Sequence, residues 1–131
     1  MIKFCQSRLQ AIKYAVEGWW YVISTQKNTR IHAAASITVI ALGFWLRISV
    51  QDWAIIILTI ALVWVVEIIN TSLEVLTDLL SPQQNQLAKI SKDVSAAAVL
   101  ISAVTSIVIG LLILGPPLLT KLQSLGLIFN K

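Results

Sequence analysis

The chain is short, strongly apolar and mildly basic. It has 131 residues, of which 57% are hydrophobic and only 12% are charged, with a mean hydropathy of +0.83 and a formal net charge of +4. Soluble domains usually carry about a quarter of their residues as charged side chains. The length allows one domain, 1–131, which excludes a two-domain nucleotide-binding enzyme, a conventional soluble kinase and a large transporter. A small membrane protein is therefore predicted.

Residues 2–24 have the spacing of an amphipathic helix. Apolar side chains recur at intervals of three and four residues from Cys5 to Ile23, and polar side chains occupy the opposite face. The Trp-Trp-Tyr run at 19–21 is typical of the membrane–water interface, so we expect a helix that lies on the membrane surface. Cys5 is the only cysteine, which excludes an intramolecular disulfide and a paired-cysteine metal site.

Three later segments are long and apolar enough to cross a bilayer. They are residues 31–50, 53–78 and 94–117, and about twenty helical residues span a hydrocarbon core of roughly 30 Å. The short connection at 49–52 makes the first two helices antiparallel neighbours, and the proline pair at 116–117 is expected to end the third. The predicted fold is an all-α membrane protein with one surface helix and three transmembrane helices.

The distribution of Lys and Arg predicts the orientation of these helices. Seven of the ten lie in the N-terminal segment or in the 79–93 loop, and three lie on the other side. By the positive-inside rule, the N-terminus and the 79–93 loop should be cytoplasmic and the C-terminus outside. In so apolar a chain the positive charge indicates membrane orientation and phosphate contacts, and we expect no nucleic-acid partner.

Four polar residues of the second crossing share one helical face. Their intervals of 3, 4 and 4 residues place on a single stripe Glu67, Asn70, Glu74 and Asp78. An ionisable group within a membrane costs roughly 2.5 kcal/mol or more, so Glu67 is expected to have a function. Glu74 and Asp78 repel each other one turn apart, which a divalent cation or a basic ligand would relieve. Solvation of Asp78 beyond the membrane remains an open alternative.

Two further positions carry open alternatives. Lys92 and Asp93 are expected to open the third crossing, where a helix N-terminus attracts phosphate; a helix cap with a snorkelling lysine is the simpler interpretation. His32 is interpreted as a boundary residue, because the chain has no second histidine for a metal pair. The sequence contains neither the GxxxxGK[ST] phosphate-binding loop nor a GxSxG nucleophile motif.

Several segments, in order and at the right spacing, resemble a known family. Residues 66–78, VEIINTSLEVLTD, are similar to the ExxNxxxExxxD segment of prokaryotic diacylglycerol kinases and undecaprenol kinases. Residues 88–100, AKISKDVSAAAVL, resemble the AKxxKDxxxxAVL segment that follows it. NTRIH at 28–32 resembles NFRIH, which is more typical of the undecaprenol kinases, and KYAVEG at 13–18 resembles the N-terminal helix. The resemblance covers about residues 10–115.

This resemblance implies a homotrimer of three-crossing protomers in the plasma (inner) membrane, with active sites between neighbouring protomers and Mg²⁺-ATP as phosphate donor. It implies that Glu67 is the general base for the lipid hydroxyl and that Glu74 binds the metal and ATP. It further implies a nucleotide site that includes the polar residues Tyr14, Asn70, Lys92 and Asp93.

The chain also departs from the family pattern. Gln26 stands where a second metal-binding Glu is usual, although its amide oxygen can still bind Mg²⁺ with less charge. Asn85 replaces a common His, Thr29 replaces Phe, and SAAA at 95–98 stands where a Gly often occurs. The leading hypothesis is an ATP-dependent kinase that converts diacylglycerol to phosphatidic acid. The alternatives are an undecaprenol kinase and a non-catalytic membrane subunit, the latter favoured by Gln26.

Overall fold

The computed structural model describes residues 2–83 and 85–126, with side chains from residue 8 onward, and the described part is built from helices without strands. The predictions that rest on the Cys5 side chain and on Lys131 lie outside the described residues. The helices are α1, Ile2–Thr25; α2, Lys27–Leu46; α3, Val50–Leu80; and α4, Gln86–Ser124. The last three are long and apolar enough to cross a membrane. The predicted all-α fold with three candidate spanning helices is confirmed.

The turn between α2 and α3 is tighter than the sequence suggested. The helix α2 ends at Leu46, where Arg47 adopts the left-handed conformation with φ of 54° and closes the helix. Ser49 caps α3 in a capping box, in which its hydroxyl accepts from the Asp52 backbone N–H and the Asp52 carboxylate accepts from Ser49. The expected connection at 49–52 is therefore wrong, and three residues join the two helices.

The helix α4 is longer than predicted at both ends. Asn85 caps it by accepting from the Ala88 backbone N–H at 2.8 Å, so Lys92 and Asp93 lie within the helix and do not open it. At the other end, α4 continues through the proline pair to Ser124. A proline removes one backbone donor, and an apolar spanning helix tolerates this when neighbouring groups satisfy the freed carbonyl groups. The expected stop at 116–117 is therefore wrong.

Packing within one chain is sparse. The fully buried apolar side chains of the described residues are few: Val22, Ile56, Val63, Val99 and Leu114. Most large apolar side chains of α2, α3 and α4 are exposed, a surface that lipid or further protein chains must cover. The C-terminal half of α1 packs on this bundle, with the Trp19 and Trp64 rings 5.6 Å apart between centroids.

Gly43 lies near the turn between α2 and α3, against the indole ring of Trp53. A Cβ added there would lie 2.8 Å from Trp53 Cη2. We expect Gly43→Ala to destabilise the folded protein by about 1–3 kcal/mol, because the indole ring must shift. Gly115→Ala is the matched control, since a Cβ there meets nothing within 4 Å. Thermal denaturation in detergent measures both variants, and equal melting temperatures would contradict this packing.

Candidate active site

Glu67, the acid predicted to lie within the membrane, is buried against α2. Its residue is 2% exposed, and its Oε1 accepts a hydrogen bond of 3.1 Å from the Thr29 hydroxyl. Thr29 is itself fully buried. The Thr71 hydroxyl donates to the Glu67 backbone carbonyl at 3.0 Å, which fixes the local helix. The carboxylate therefore faces protein and not lipid, as its energetic cost requires.

The second oxygen of this carboxylate faces His32. His32 Nε2 lies 3.9 Å from Glu67 Oε2, and both atoms are buried without a hydrogen-bond partner among the described residues. Sequence reasoning missed this contact, because it interpreted His32 as a boundary residue and Thr29 as a departure from the family. The available signal was their spacing, since two polar residues three apart at the start of an apolar helix share one face.

Glu74 lies about two turns beyond Glu67 on the same stripe and holds a second polar cluster. Its Oε2 accepts from Gln26 Nε2 at 3.3 Å, and its Oε1 accepts from Asn70 Nδ2 at 3.0 Å. Gln26 reaches this carboxylate because it stands at the break between α1 and α2. The Oδ1 atom of Asn70 is buried and has no partner in the described part of the chain.

One ion pair joins α3 to α4 beyond this cluster, and a second ion pair lies along α4. Lys92 Nζ lies 2.5 Å from Asp78 Oδ1, so the basic group that relieves the repulsion between Glu74 and Asp78 comes from the protein itself. Lys89 pairs with Asp93 along α4. These four charged side chains border an open pocket at the ends of the two helices. Both pairs are largely exposed, so each is worth little by itself.

One candidate residue lies apart from the others. Tyr14, on α1, is 65% exposed and makes no hydrogen bond or ring contact within the described residues. The single chain therefore joins Gln26, Asn70 and Glu74 in one cluster, whereas Glu67 contacts Thr29 and His32, Lys92 pairs with Asp78, and Tyr14 joins none of these groups. The described residues contain no group of three His, Cys, Asp or Glu side chains that could hold a metal.

A cleft between α2, α3 and α4 joins these polar groups to an apolar wall. Its polar side contains His32, Asn70 and Glu74. Its other side is formed by small and branched side chains of α4: Ala96, Val99, Leu100 and Ala103. A cleft with one polar side and one apolar side suits an amphiphile, which has a polar head group and an apolar chain.

The known proteins to which this chain is similar are lipid kinases. The family model for prokaryotic diacylglycerol kinase matches residues 13–114. An undecaprenol kinase from Bacillus subtilis is 40% identical over 105 residues, or 80% of this chain and 85% of that protein. A diacylglycerol kinase from Synechocystis sp. is 39% identical over 113 residues, or 86% of this chain and 65% of that protein. A diacylglycerol kinase from Escherichia coli is 24% identical over 100 residues.

The matched segment contains the second half of α1, all of α2 and α3, and most of α4. It therefore includes Glu67 with its contacts Thr29 and His32, Glu74 with its contacts Gln26 and Asn70, and the Lys92–Asp78 and Lys89–Asp93 ion pairs. The chain belongs to the prokaryotic diacylglycerol kinase family, whose members are membrane enzymes that phosphorylate lipids with ATP.

Proposed function

We propose that this chain, as a single domain spanning 1–131, transfers the γ-phosphoryl group of ATP to the hydroxyl group of diacylglycerol, with Glu67 as general base. The observation that carries the proposal is a buried carboxylate on a helix long and apolar enough to cross a membrane, with one oxygen held by Thr29 and the other without a partner among the described residues. General base catalysis needs the acceptor atom within hydrogen-bond reach of the reacting hydroxyl. The cleft borders His32, whose Nε2 lies 3.9 Å from this atom, and it is the proposed route of a lipid head group towards the buried carboxylate.

Undecaprenol is the second candidate acceptor. The 40% identity to an undecaprenol kinase supports it, as does the NTRIH segment that contains both α2 contacts to Glu67. Both lipids present a primary hydroxyl group at the end of an apolar body, so the catalytic residues serve either one. Purified protein in mixed micelles with labelled ATP, Mg²⁺ and each lipid in turn decides between them. No transfer to either lipid would favour a non-catalytic subunit.

The residues around Glu74 fit a magnesium ion bound together with ATP. Mg²⁺ in phosphoryl-transfer enzymes is usually held by one or two carboxylates and the substrate phosphates, and it neutralises charge on those phosphates. Glu74 is such a carboxylate, and the unpartnered Asn70 Oδ1 is a neutral oxygen donor beside it. Gln26 would bind through its amide oxygen after the amide turns away from Glu74. The proposed metal ligands are therefore Glu74 and Gln26.

Charged groups of α4 complete the proposed nucleotide site. Lys92 is only partly exposed and stands beside the acidic end of α3, where its ammonium group can exchange Asp78 for a phosphate. The Asp93 carboxylate forms an ion pair with Lys89. It becomes free to contact the nucleotide site when Lys89 moves to a phosphate of ATP. Tyr14 is proposed to contact the nucleotide from α1, and its exposure leaves its hydroxyl free to do so.

The proposed assembly is a homotrimer in the plasma (inner) membrane. The support is the extensive apolar surface of the three spanning helices, which a single chain leaves exposed. Sites between neighbouring protomers would cover part of that surface and enclose the cleft that opens between α2, α3 and α4. The N-terminus and the 79–93 loop would face the cytoplasm, where Mg²⁺-ATP is available, because most Lys and Arg residues lie there.

Replacement of Glu67 by Gln tests the proposed base. We expect Glu67→Gln to lower kcat by about 100-fold or more, because the amide cannot accept the hydroxyl proton. Assembly should be preserved, since the change removes a charge at membrane depth. Glu17→Gln is the matched control on exposed α1, where Glu17 pairs only with Lys13. Activity of Glu67→Gln within a few-fold of the parent protein would exclude Glu67 as the base.

Replacement of Gln26 by Glu tests the proposed metal site. Two carboxylates bind Mg²⁺ better than one carboxylate and one amide. We expect Gln26→Glu to lower the Mg²⁺ concentration for half-maximal activity several-fold, and to increase the thermal shift produced by Mg²⁺-nucleotide. Without metal, the same variant should be less stable, because the new carboxylate replaces a donor to Glu74 and repels it. An unchanged Mg²⁺ midpoint would place Gln26 outside the metal site.

A further inference from the structure

Two buried polar atoms face each other in the site, and neither has a hydrogen-bond partner among the described residues. They are His32 Nε2 and Glu67 Oε2, at 3.9 Å, which is too long for a hydrogen bond. A buried polar atom without a partner costs folding free energy, so two of them side by side need an explanation. The proposed base accounts for the carboxylate oxygen, but nothing in the reaction described above uses His32.

No other side chain in the described part of the protein satisfies His32 Nε2 or Glu67 Oε2. Oε1 of the carboxylate is held by Thr29, three residues before His32 on α2, so one helix face meets both carboxylate oxygens. The α4 side chains that border the cleft are all apolar, and Glu74 is the other ionisable group that borders it. On its far side His32 borders a second, small cavity whose lining includes Ser36 and Ser106.

We propose that His32 and Glu67 together bind the hydroxyl group of the lipid acceptor, which rests on the proposed lipid kinase function. His32 Nε2–H donates to the hydroxyl oxygen, and Glu67 Oε2 accepts the hydroxyl hydrogen. A hydroxyl both donates and accepts, so it satisfies both unpartnered atoms at once. His32 Nε2 and Glu67 Oε2 are 3.9 Å apart. A hydroxyl oxygen about 2.8 Å from each of them would therefore make two hydrogen bonds at an angle of roughly 90°. The cavity beside His32 gives the ring room to move as the hydroxyl enters.

The same arrangement assigns His32 a part in the transfer step. The hydroxyl O–H bond breaks and its proton passes to Glu67 Oε2. The oxygen lone pair forms the bond to the γ-phosphorus, and the bond to the β–γ bridging oxygen breaks with its electrons leaving on ADP. His32 keeps its proton throughout and stabilises the negative charge that develops on the attacking oxygen. His32 is therefore a catalytic residue, and Thr29 is a positioning residue that turns Oε2 towards the substrate.

A binding experiment without nucleotide tests the proposed hydroxyl-binding site itself. The probes are dioleoylglycerol and its methyl ether, and undecaprenol and its methyl ether, each measured in mixed micelles. We expect the parent protein to prefer the substrate alcohol over its ether about tenfold, because a site built for a hydroxyl rejects an analogue without it. His32→Leu should reduce this preference to about twofold or less. His32→Gln, which keeps an N–H donor at similar reach, should recover much of it.

Kinetics supply a second readout. His32→Leu should lower kcat/KM for the lipid by about tenfold or more and leave KM for Mg²⁺-ATP within about twofold. Thr29→Val should act in the same direction and Thr29→Ser should not, because serine retains the hydroxyl. Thr38→Val is the matched control, since the Thr38 hydroxyl bonds only to the carbonyl of Ala34 in its own helix. Circular dichroism and gel-filtration profiles show that each variant is folded.

The outcomes separate this inference from the proposed function. An active parent enzyme whose alcohol preference survives His32→Leu would overturn the role of His32 and leave the lipid kinase intact. A parent protein without any alcohol preference would also overturn it. If the parent binds the alcohol selectively yet transfers no phosphate, the kinase proposal fails while the hydroxyl site stands. A loss of preference in His32→Leu that His32→Gln restores supports the inference.

Discussion

The burial of one carboxylate between α2 and α3 sets the arrangement of the whole site. A membrane-embedded acid must be compensated by protein groups, because lipid supplies none. Thr29 provides that compensation for Glu67, and it does so only if α2 and α3 lie in one register. The three-residue turn between these helices, capped by Ser49, fixes that register from the opposite end. The position of this carboxylate therefore depends on helix packing and on the short turn that sets the helix register.

Sequence reasoning predicted the parts of this molecule that depend on periodicity. The lengths of the apolar segments were sufficient for the fold class, and the 3, 4, 4 spacing was sufficient to place Glu67, Asn70 and Glu74 on one face of α3. Partners on other helices were not accessible in this way, because periodicity describes one helix at a time. Thr29 and His32 meet Glu67 because α2 is rotated about its axis so that these two side chains face α3. The sequence of one helix alone does not determine that rotation.

The helix ends were predicted less well, for two physical reasons. Capping by Asn85 begins α4 in a segment whose composition resembles a loop, so the charged residues of the first turns appeared to precede the helix. The proline pair appeared to be a stop, because proline breaks helices in water, where exposed carbonyl groups find solvent partners. In an apolar spanning helix the alternative conformations lose more hydrogen bonds than the prolines remove. The same residue types thus have different consequences in the two solvents.

The break between α1 and α2 is one residue long, and that residue is Gln26. Its backbone N–H still donates to the Val22 carbonyl of α1, while its side chain bonds Glu74. The surface helix and the carboxylate cluster are consequently connected through a single side chain, with no slack between them. A displacement of α1 relative to the other helices must therefore either be transmitted to Glu74 or break that hydrogen bond. The position of α1 and the geometry of the Glu74 cluster are in this way coupled mechanically.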